Sequence, residues 1–409
     1  MIDIKPFKGT KPYNEDARNL IAPSTDHLSE DSILDIFEKN YWNYLKVLNP
    51  VGQTREKDAL IAAKKHFSEM KENHIIKQDN KACFYVYRIK TSNHAQVGFL
   101  AVANINMFIT NIIKGHEKTY QTRTDERAEQ MMNLNSQIGP IYVTYKDYDK
   151  LDDLLFQFTL NTPQYDFISF DNSQHTLWNV EDEDDVNNMS IYINNITKYY
   201  IADGHHRISA MKKIFDQKSS LNINHSGQEG YNYFMISAFP SSKSKIFDYN
   251  RVIKNLNGLS VQEFISKIKL DFDCEKSATP VLPNKPKEFG MYHDNQWYFL
   301  KFKKQKNLSE DILSNLDINI LNEYCLTKIL GIKDINKDER IRFIAGCHGL
   351  ESLEKKVNEN QDSVAFSVFP TQISQVIEVA NNNLTMPPKT TWFDPKPLDG
   401  LVVYEFEQL

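Results

Sequence analysis

Cysteine is scarce in this chain of 409 residues: Cys83, Cys274, Cys325 and Cys347 are all there is. None stands in a C-x-x-C pair, which leaves no readable zinc knuckle or redox motif, and scattered thiols fit a reducing compartment. Long apolar runs are missing as well. The most apolar stretch, residues 97–113, is interrupted by Asn104, Asn106 and Asn111, so it is too short and too polar to cross a bilayer. The opening Met1-Ile2-Asp3-Ile4-Lys5 has no apolar segment of a signal peptide, and the expectation is a cytoplasmic protein without a membrane partner. Basic excess is also lacking. A net charge of −6, a pI near 6.0 and the want of any basic tail argue against non-specific nucleic-acid binding. No repeat period is visible. G-x-G-x-x-G, G-x-x-x-x-G-K-S/T, H-E-x-x-H and G-x-S-x-G do not occur, so Rossmann, P-loop, zincin and hydrolase readings have no support.

What is present is ordinary for a packed globular protein. Hydrophobic residues make up 41% and charged residues 25%, and 20 Tyr and 24 Phe argue against disorder. The length suggests two or three domains. The pattern predicts an extended arm over 4–9, a helix through Ile33, Ile36 and Phe37 capped by the cluster at Ser29, and a helix over 56–71. Strands are expected at 82–89, 97–102, 140–145, 233–239 and 296–302, and helices at 126–135, 262–268 and 313–330, the last ended by Gly331. The acidic run 181–185 reads as a solvated loop, and 190–201 as a hairpin turning near Asn194-Asn195. Strands and helices interleave without a steady βαβ rhythm, so the class is α+β, or mixed α/β, and not a doubly wound sheet.

Chemistry concentrates in three places. The first is Tyr200-Ile201-Ala202-Asp203-Gly204-His205-His206-Arg207-Ile208-Ser209-Ala210-Met211. A strand runs into a glycine-hinged turn that opens a helix, with Ile208, Met211 and Phe215 on one helix face. Such a turn aims backbone N–H groups and the positive end of the helix dipole at one spot, which suits a phosphate or carboxylate. Arg207 adds a planar fork of donors matched to phosphate oxygens. Asp203 is the odd member: it holds a metal ion, takes a proton, or simply caps the helix. Zinc is disfavoured, because the adjacent His205 and His206 diverge and no i, i+4 histidine accompanies them.

The second cluster is Lys114-Gly115-His116-Glu117-Lys118-Thr119, where His116 and Glu117 form an adjacent acid/base pair; a charged loop capped by Thr119 is the alternative. Downstream, Asp125-Glu126-Arg127 marks the start of the next helix. The third is the proline-rich segment 386–397, with Lys389, Thr390 and Lys396 in the chemistry of a phosphate lid; a C-terminal strap is equally consistent.

These clusters carry a resemblance. Nearly end to end, the chain resembles an uncharacterised bacterial and archaeal family marked by ADGHHR. The matching elements are I-K-P-F-K-G, I-A-P with D-H-L-S, G-H-E-K-T, I-G-P-I-Y, Y-I-A-D-G-H-H-R-I-S-A, Y-N-R-V-I-K-N-L-N-G-L-S, L-D-I-N-I-L and M-P-P-K-T-T-W-F-D-P-K, in that order. One departure is that the family's P-Y-D after I-A-P is here Ser24-Thr25-Asp26. The D-G-H-H-R turn in turn looks like the phosphate-binding turn of the ParB/sulfiredoxin superfamily, which includes sulfiredoxins, nucleotide-binding partition proteins and free serine kinases. The resemblance implies a ParB/sulfiredoxin-like core with large insertions, and a phosphate or nucleotide site at Gly204, His205, His206 and Arg207. By analogy with the serine kinases Glu117 is the general base, and the family's association with serine-biosynthesis genes points to serine or phosphoserine.

The expected function is therefore phosphotransfer on a small hydroxy amino acid, as a free serine kinase or a phosphoserine phosphatase. Glu117, Asp203 and His206 are the catalytic candidates. Gly204, His205, Arg207, His116, Lys389 and Thr390 are the candidates for phosphate or nucleotide, and Asn250 and Arg251 for the substrate carboxylate, with a capped helix start as the alternative for the last two. ATP or ADP would be the donor, with Mg²⁺ at Asp203. A homo-oligomer is open. Residues 1–255 are expected to form the phosphate-binding body, and 256–409 an α+β portion whose tail, 386–401, docks back. The rival reading is a nucleotide-binding regulator without turnover. A sulfiredoxin-like reductase ranks last, because the position before His206 is His205 and not cysteine.

Overall fold

The computed structural model describes residues 2–13, 17–22, 30–48, 56–303, 311–360 and 362–407. The Ser29 cap and the Ser24-Thr25-Asp26 departure lie outside the described residues. The chain forms two compact units. The first comprises Met1–Gly115, Thr119–Ser244 and Pro395–Leu409, and the second His116–Lys118 and Lys245–Asp394. The class is α+β.

In the first unit nine strands make one mixed sheet: β1 (Ile4–Lys5), β2 (Phe84–Lys90), β3 (Ala95–Asn104), β4 (Ile113–Lys114), β5 (Ile141–Tyr145), β6 (Tyr165–Ile168), β7 (Gln174–Val180), β8 (Tyr199–Asp203) and β9 (Tyr233–Pro240). Their order is β4-β8-β5-β9-β3-β2-β7-β6, with β1 on β3. The pairs β8/β4 and β9/β5 are parallel and the others antiparallel. Every residue of β5 and β9 is buried, as expected of central strands covered on both faces. Helices α1 (Glu30–Lys39), α2 (Glu56–Glu72), α3 (Gln121–Leu134), α4 (Asp149–Phe158), α5 (Glu183–Asn194) and α6 (His205–Leu221) accompany the sheet. Helix α6 buries Ile208, Met211 and Ile214, while Phe215 is only half-buried. Helices α3 and α6 are tied by Lys213 to Asp125, at 2.6 Å.

Two sequence expectations fail here for one physical reason. The acidic run is not a loop, and 190–201 is not a hairpin. Asp182 accepts the amides of Asp184 and Asp185 as an N-cap, Glu183, Asp184 and Asp185 sit in the first turn of α5, and Met189 and Ile193 form its buried face. The acids favour the helix dipole instead of merely meeting water. Helix α3 also begins five residues earlier than expected, at Gln121.

The second unit holds a six-stranded antiparallel sheet: β10 (Tyr249–Ile253), β11 (Phe272–Ser277), β12 (Glu288–His293), β13 (Gln296–Phe302), β14 (Ile341–Ala345) and β15 (Val364–Val368). The order is β11-β13-β12-β15-β10-β14. Asp294 and Asn295, both left-handed, make the two-residue turn of the β12–β13 hairpin. Helix α7 (Val261–Asp271) starts with a Ser260–Glu263 capping box, and α8 (Leu350–Asn358) and α9 (Ile373–Asn381) complete the unit. The long helix expected over 313–330 is broken into a 3₁₀ turn at Leu313–Asn315, a helix at Asp317–Leu321 and a π-helical stretch at Asn322–Thr327. Asn250 and Arg251 lie within a strand, not at a helix start. Among the described residues no helix is long and apolar enough to cross a membrane.

Candidate functional site

Strand β8 delivers the D-G-H-H-R segment. Its register against β5 slips between Ile201, opposite Val143, and Asp203, opposite Tyr142, so Ala202 is an extra residue in a bulge. Bulges re-aim the side chains that follow them. Gly204 then turns the chain at φ +98° and ψ 24°, a left-handed conformation that costs an L residue about 1–2 kcal/mol. Helix α6 starts at the next residue with no side-chain cap, and the amide of Ile208 closes the first turn on the Gly204 carbonyl at 3.0 Å. The positive end of a helix of 17 residues is thus presented at the glycine.

Around this end the first unit gathers charge. Lys396 Nζ lies 3.2 Å from Asp203 Oδ1. Desolvation pushes the Asp203 carboxyl up, but Lys396 and Arg207 outweigh it and hold the group below the ordinary aspartate range. Arg207 donates from Nη1 to the Pro140 carbonyl and from Nη2 to Asp399 Oδ2, the latter at 3.3 Å. His205 is buried, and burial pushes its imidazole down to about 4 despite the opposing pull of Asp203. It is therefore neutral at pH 7 and acts as a hydrogen-bonding group, not a charge. The His206 ring stacks on Tyr120, centroids 6.0 Å apart.

The strap that supplies Lys396 and Asp399 is pinned along its length. Gln96 donates to the Pro395 carbonyl at 3.2 Å, the Leu398 amide donates to Tyr87 Oη at 3.3 Å, and the Ala22 amide donates to the Asp399 carbonyl at 3.0 Å. A side chain at Gly139 would overlap the Asp399 carboxylate, so glycine there makes room for that carboxylate beside Arg207.

The second unit holds the other candidates. His116 is buried, and its Nε2 lies 3.2 Å from Thr391 Oγ1 and 4.0 Å from Glu117 Oε1. Thr391 Oγ1 donates to Glu117 Oε1 at 3.5 Å, so one hydroxyl bridges the imidazole and the carboxylate. The His116 carbonyl accepts the Met386 amide at 2.8 Å. Arg251 is wholly buried. It donates to the Tyr249 carbonyl and, at 2.8 Å, to the Lys389 carbonyl, and burial pushes it down to about 9. Asn250 is buried too, and its Oδ1 accepts the Val368 amide at 3.1 Å. Lys389 sits left-handed with Nζ over the Tyr249 ring at 5.3 Å, and Thr390 Oγ1 donates to the Pro387 carbonyl at 2.6 Å.

The expected site residues therefore fall into two sets. Asp203, Gly204, His205, His206 and Arg207 stand together in the first unit. His116, Glu117, Asn250, Arg251, Lys389 and Thr390 belong to the second. Lys396 joins Asp203, whereas its neighbours in the proline-rich segment, Lys389 and Thr390, do not share its unit. Sequence reasoning did not single out Asp399 or Thr391; only their partners far along the chain give them meaning. As for Mg²⁺, among the described residues no group of three His, Cys, Asp or Glu side chains could hold an ion. The cation beside Asp203 is the Lys396 ammonium, so the donor set does not build a protein cage for a metal.

Residues 4–319 match the model of the family described as a protein of unknown function (DUF1015), and the chain belongs to that family. No curated protein matches it. Among solved structures, SbnI with a C-terminal truncation from Staphylococcus aureus is similar at 12% identity and a TM-score of 0.38, over 72% of this chain and 82% of that one. A conserved hypothetical protein from Pyrococcus furiosus gives 12% and 0.34, over 72% and 90%. A free serine kinase in complex with AMP gives 13% and 0.35, over 74% and 92%.

Proposed function

We propose that the turn at Gly204 binds a phosphate group carried by a nucleotide, and that the protein moves a phosphoryl group to or from serine or a similar small hydroxy amino acid. The observation that carries the phosphate half is the left-handed Gly204 at the mouth of a helix without a side-chain cap, with Arg207 in its first turn and Lys396 against Asp203. Helix N-termini of this kind favour oxyanions through amides and dipole together. The amino-acid half rests on the resemblance of the D-G-H-H-R turn.

The chemistry follows from the residues. Phosphoryl transfer needs neutralisation of charge on the migrating group and a base for the acceptor hydroxyl. Arg207, Lys396 and the first-turn amides supply the first. His205, neutral, contributes a hydrogen bond. The role of base for the hydroxyl proton goes to Glu117 on the resemblance alone; within the second unit its carboxylate accepts the Thr391 hydroxyl. Were Mg²⁺ to come with a nucleotide, Asp203 would be the carboxylate of this turn able to hold it, and the ion would supply further neutralisation of phosphate charge.

Incubation of the pure protein with serine plus ATP or ADP, and separately with phosphoserine, tests this reading. Phosphoserine formed, or phosphate released, supports it. Nucleotide bound without product moves the protein to the regulator class. Failure to bind nucleotide or phosphate at all removes the Gly204 site.

A further inference from the structure

Three contacts hold the segment that opens α3 against one side of α6. The Thr119 and Ser209 hydroxyls meet at 3.3 Å, Asp125 takes Lys213 at 2.6 Å, and the Tyr120 ring stacks on the His206 imidazole with centroids 6.0 Å apart and planes 23° from parallel. His206, Ser209 and Lys213 stand at i, i+3 and i+7, so they line one face of the helix that begins beside Gly204. All of these residues belong to the first unit. Tyr120 is thus anchored on both flanks, and its place is fixed relative to the second residue of α6.

The anchoring leaves the ring itself half open. Tyr120 is the residue before α3, with an extended backbone and no side-chain hydrogen bond to the helix start. It is 42% exposed although one face of its ring lies on the imidazole. A planar ring has two faces, so that exposure belongs to its edge and to the face turned away from His206. A rigidly held aromatic plane of this kind matches another flat ring. Stacking of a nucleobase on it needs no hydrogen-bond pattern, because every base has a π-face.

We infer that Tyr120 is the platform on which a base lies when the phosphate of its nucleotide is held at Gly204. The site would then take a nucleoside phosphate in preference to inorganic phosphate or a sugar phosphate without a base. This rests on the reading of Gly204 as a phosphate site and names the other end of its ligand. A 5′-nucleotide joins phosphate to base through one sugar, and the two features it meets are carried on the same end of α6: Gly204 before its first residue, and Tyr120 against its second. Tyr120 acts through its ring and not its hydroxyl, so it is a specificity-determining residue and takes no part in proton transfer.

Titration calorimetry of the full chain, of Tyr120→Leu and of Tyr120→Phe with AMP, ribose 5-phosphate and inorganic phosphate tests the inference. The wild type is expected to bind AMP about tenfold more tightly than ribose 5-phosphate, the scale of one stacked base. Tyr120→Leu should bring AMP down to the affinity of ribose 5-phosphate and leave the other two ligands unchanged. Tyr120→Phe, which keeps the ring and drops the hydroxyl, should keep the preference. Equal affinity for AMP and ribose 5-phosphate in the wild type, or a preference that survives Tyr120→Leu, overturns the inference and leaves the Gly204 site standing. Affinities for all three ligands that fall together in Tyr120→Leu overturn it as well, since Tyr120 then only shapes the turn. No binding of any of the three to the wild type overturns both readings. Both variants should melt with the wild type in the absence of ligand, so that a lost preference is not a loss of fold.

Discussion

Arg207 Nη2 and Asp399 Oδ2 meet at 3.3 Å although 192 residues separate them in the chain. Together with Lys396 on Asp203, this contact means that the strap returning from the far end of the sequence answers both charged ends of the D-G-H-H-R segment: ammonium to acid, carboxylate to guanidinium. The site is thus an assembly of two segments, and its net charge is set by the strap as much as by the turn.

Asp399→Asn tests that statement. The pair is partly exposed, so loss of its charge should cost at most about 1 kcal/mol of stability. The same change removes the carboxylate that competes for Arg207. Phosphate should then bind more tightly, by roughly tenfold or less, since one exposed ionic contact is worth no more. Calorimetry with inorganic phosphate checks it; weaker binding would show that Asp399 positions Arg207 more than it competes for it.

Gly204 and Gly139 are constrained differently, and alanine separates the two. A side chain at Gly204 would meet Ile141 only at ordinary contact distance, 3.5 Å, so the cost is backbone strain, about 1–2 kcal/mol. At Gly139 the added group would collide with the Asp399 carboxylate, so that side chain must turn away. Gly204→Ala should lower the melting temperature and weaken phosphate binding. Gly139→Ala should instead break the Arg207–Asp399 pair, and calorimetry reads that out as a change in phosphate affinity in the same direction as for Asp399→Asn.

Acid should destabilise the first unit through His205. Its folded value, about 4, lies below the ordinary 6.5, so between those values the unfolded chain binds a proton that the folded chain refuses. The stabilisation is therefore complete above pH 6.5 and is lost as pH falls toward 4. His175, likewise buried and pushed down to about 4, acts in the same window and the same direction. Asp203, held below its ordinary value, adds a loss at still lower pH. A shift of that size is worth about 3 kcal/mol at most per histidine. His205→Asn should flatten the acid limb of the melting curve without abolishing it; an unaltered limb would mean His205 already carries its proton when folded.

Local chemistry was legible wherever neighbours in sequence are neighbours in space. The strand at Gln296–Phe302, the helix opened by Ser260 and the turn at Gly204 all follow from residues within a few positions of one another. Reading failed where a local rule had two solutions. The acids at 181–185 satisfy either water or a helix dipole, and only the packing of Met189 and Ile193 decides for the helix. The apolar spacing after Leu313 fits a single long helix, but Leu316 is extended and divides it, and nothing in the periodicity announces that or the π-helical stretch beyond. The site was half legible for the same reason. The Gly204 turn is contiguous, whereas the role of Asp399 depends on a strap held by Gln96 and Tyr87, residues of two other strands.

Glu117 carries the last prediction. Its carboxylate is bridged to the buried His116 by the Thr391 hydroxyl, so the three side chains can hold or pass one proton. If Glu117 is the base, Glu117→Gln should lower turnover by roughly 10²–10⁴-fold, the usual worth of a positioned general base, with nucleotide affinity unchanged. Thr391→Val should lower turnover less and leave KM unaltered, and Thr391→Ser, which restores the hydroxyl, should recover most of it. A purely structural Thr391 would give the opposite order, since serine loses the methyl that valine keeps. Steady-state kinetics beside calorimetry on the same variants separates the two: turnover lost with binding intact assigns the proton to Glu117, and turnover retained by Glu117→Gln gives the role to another group.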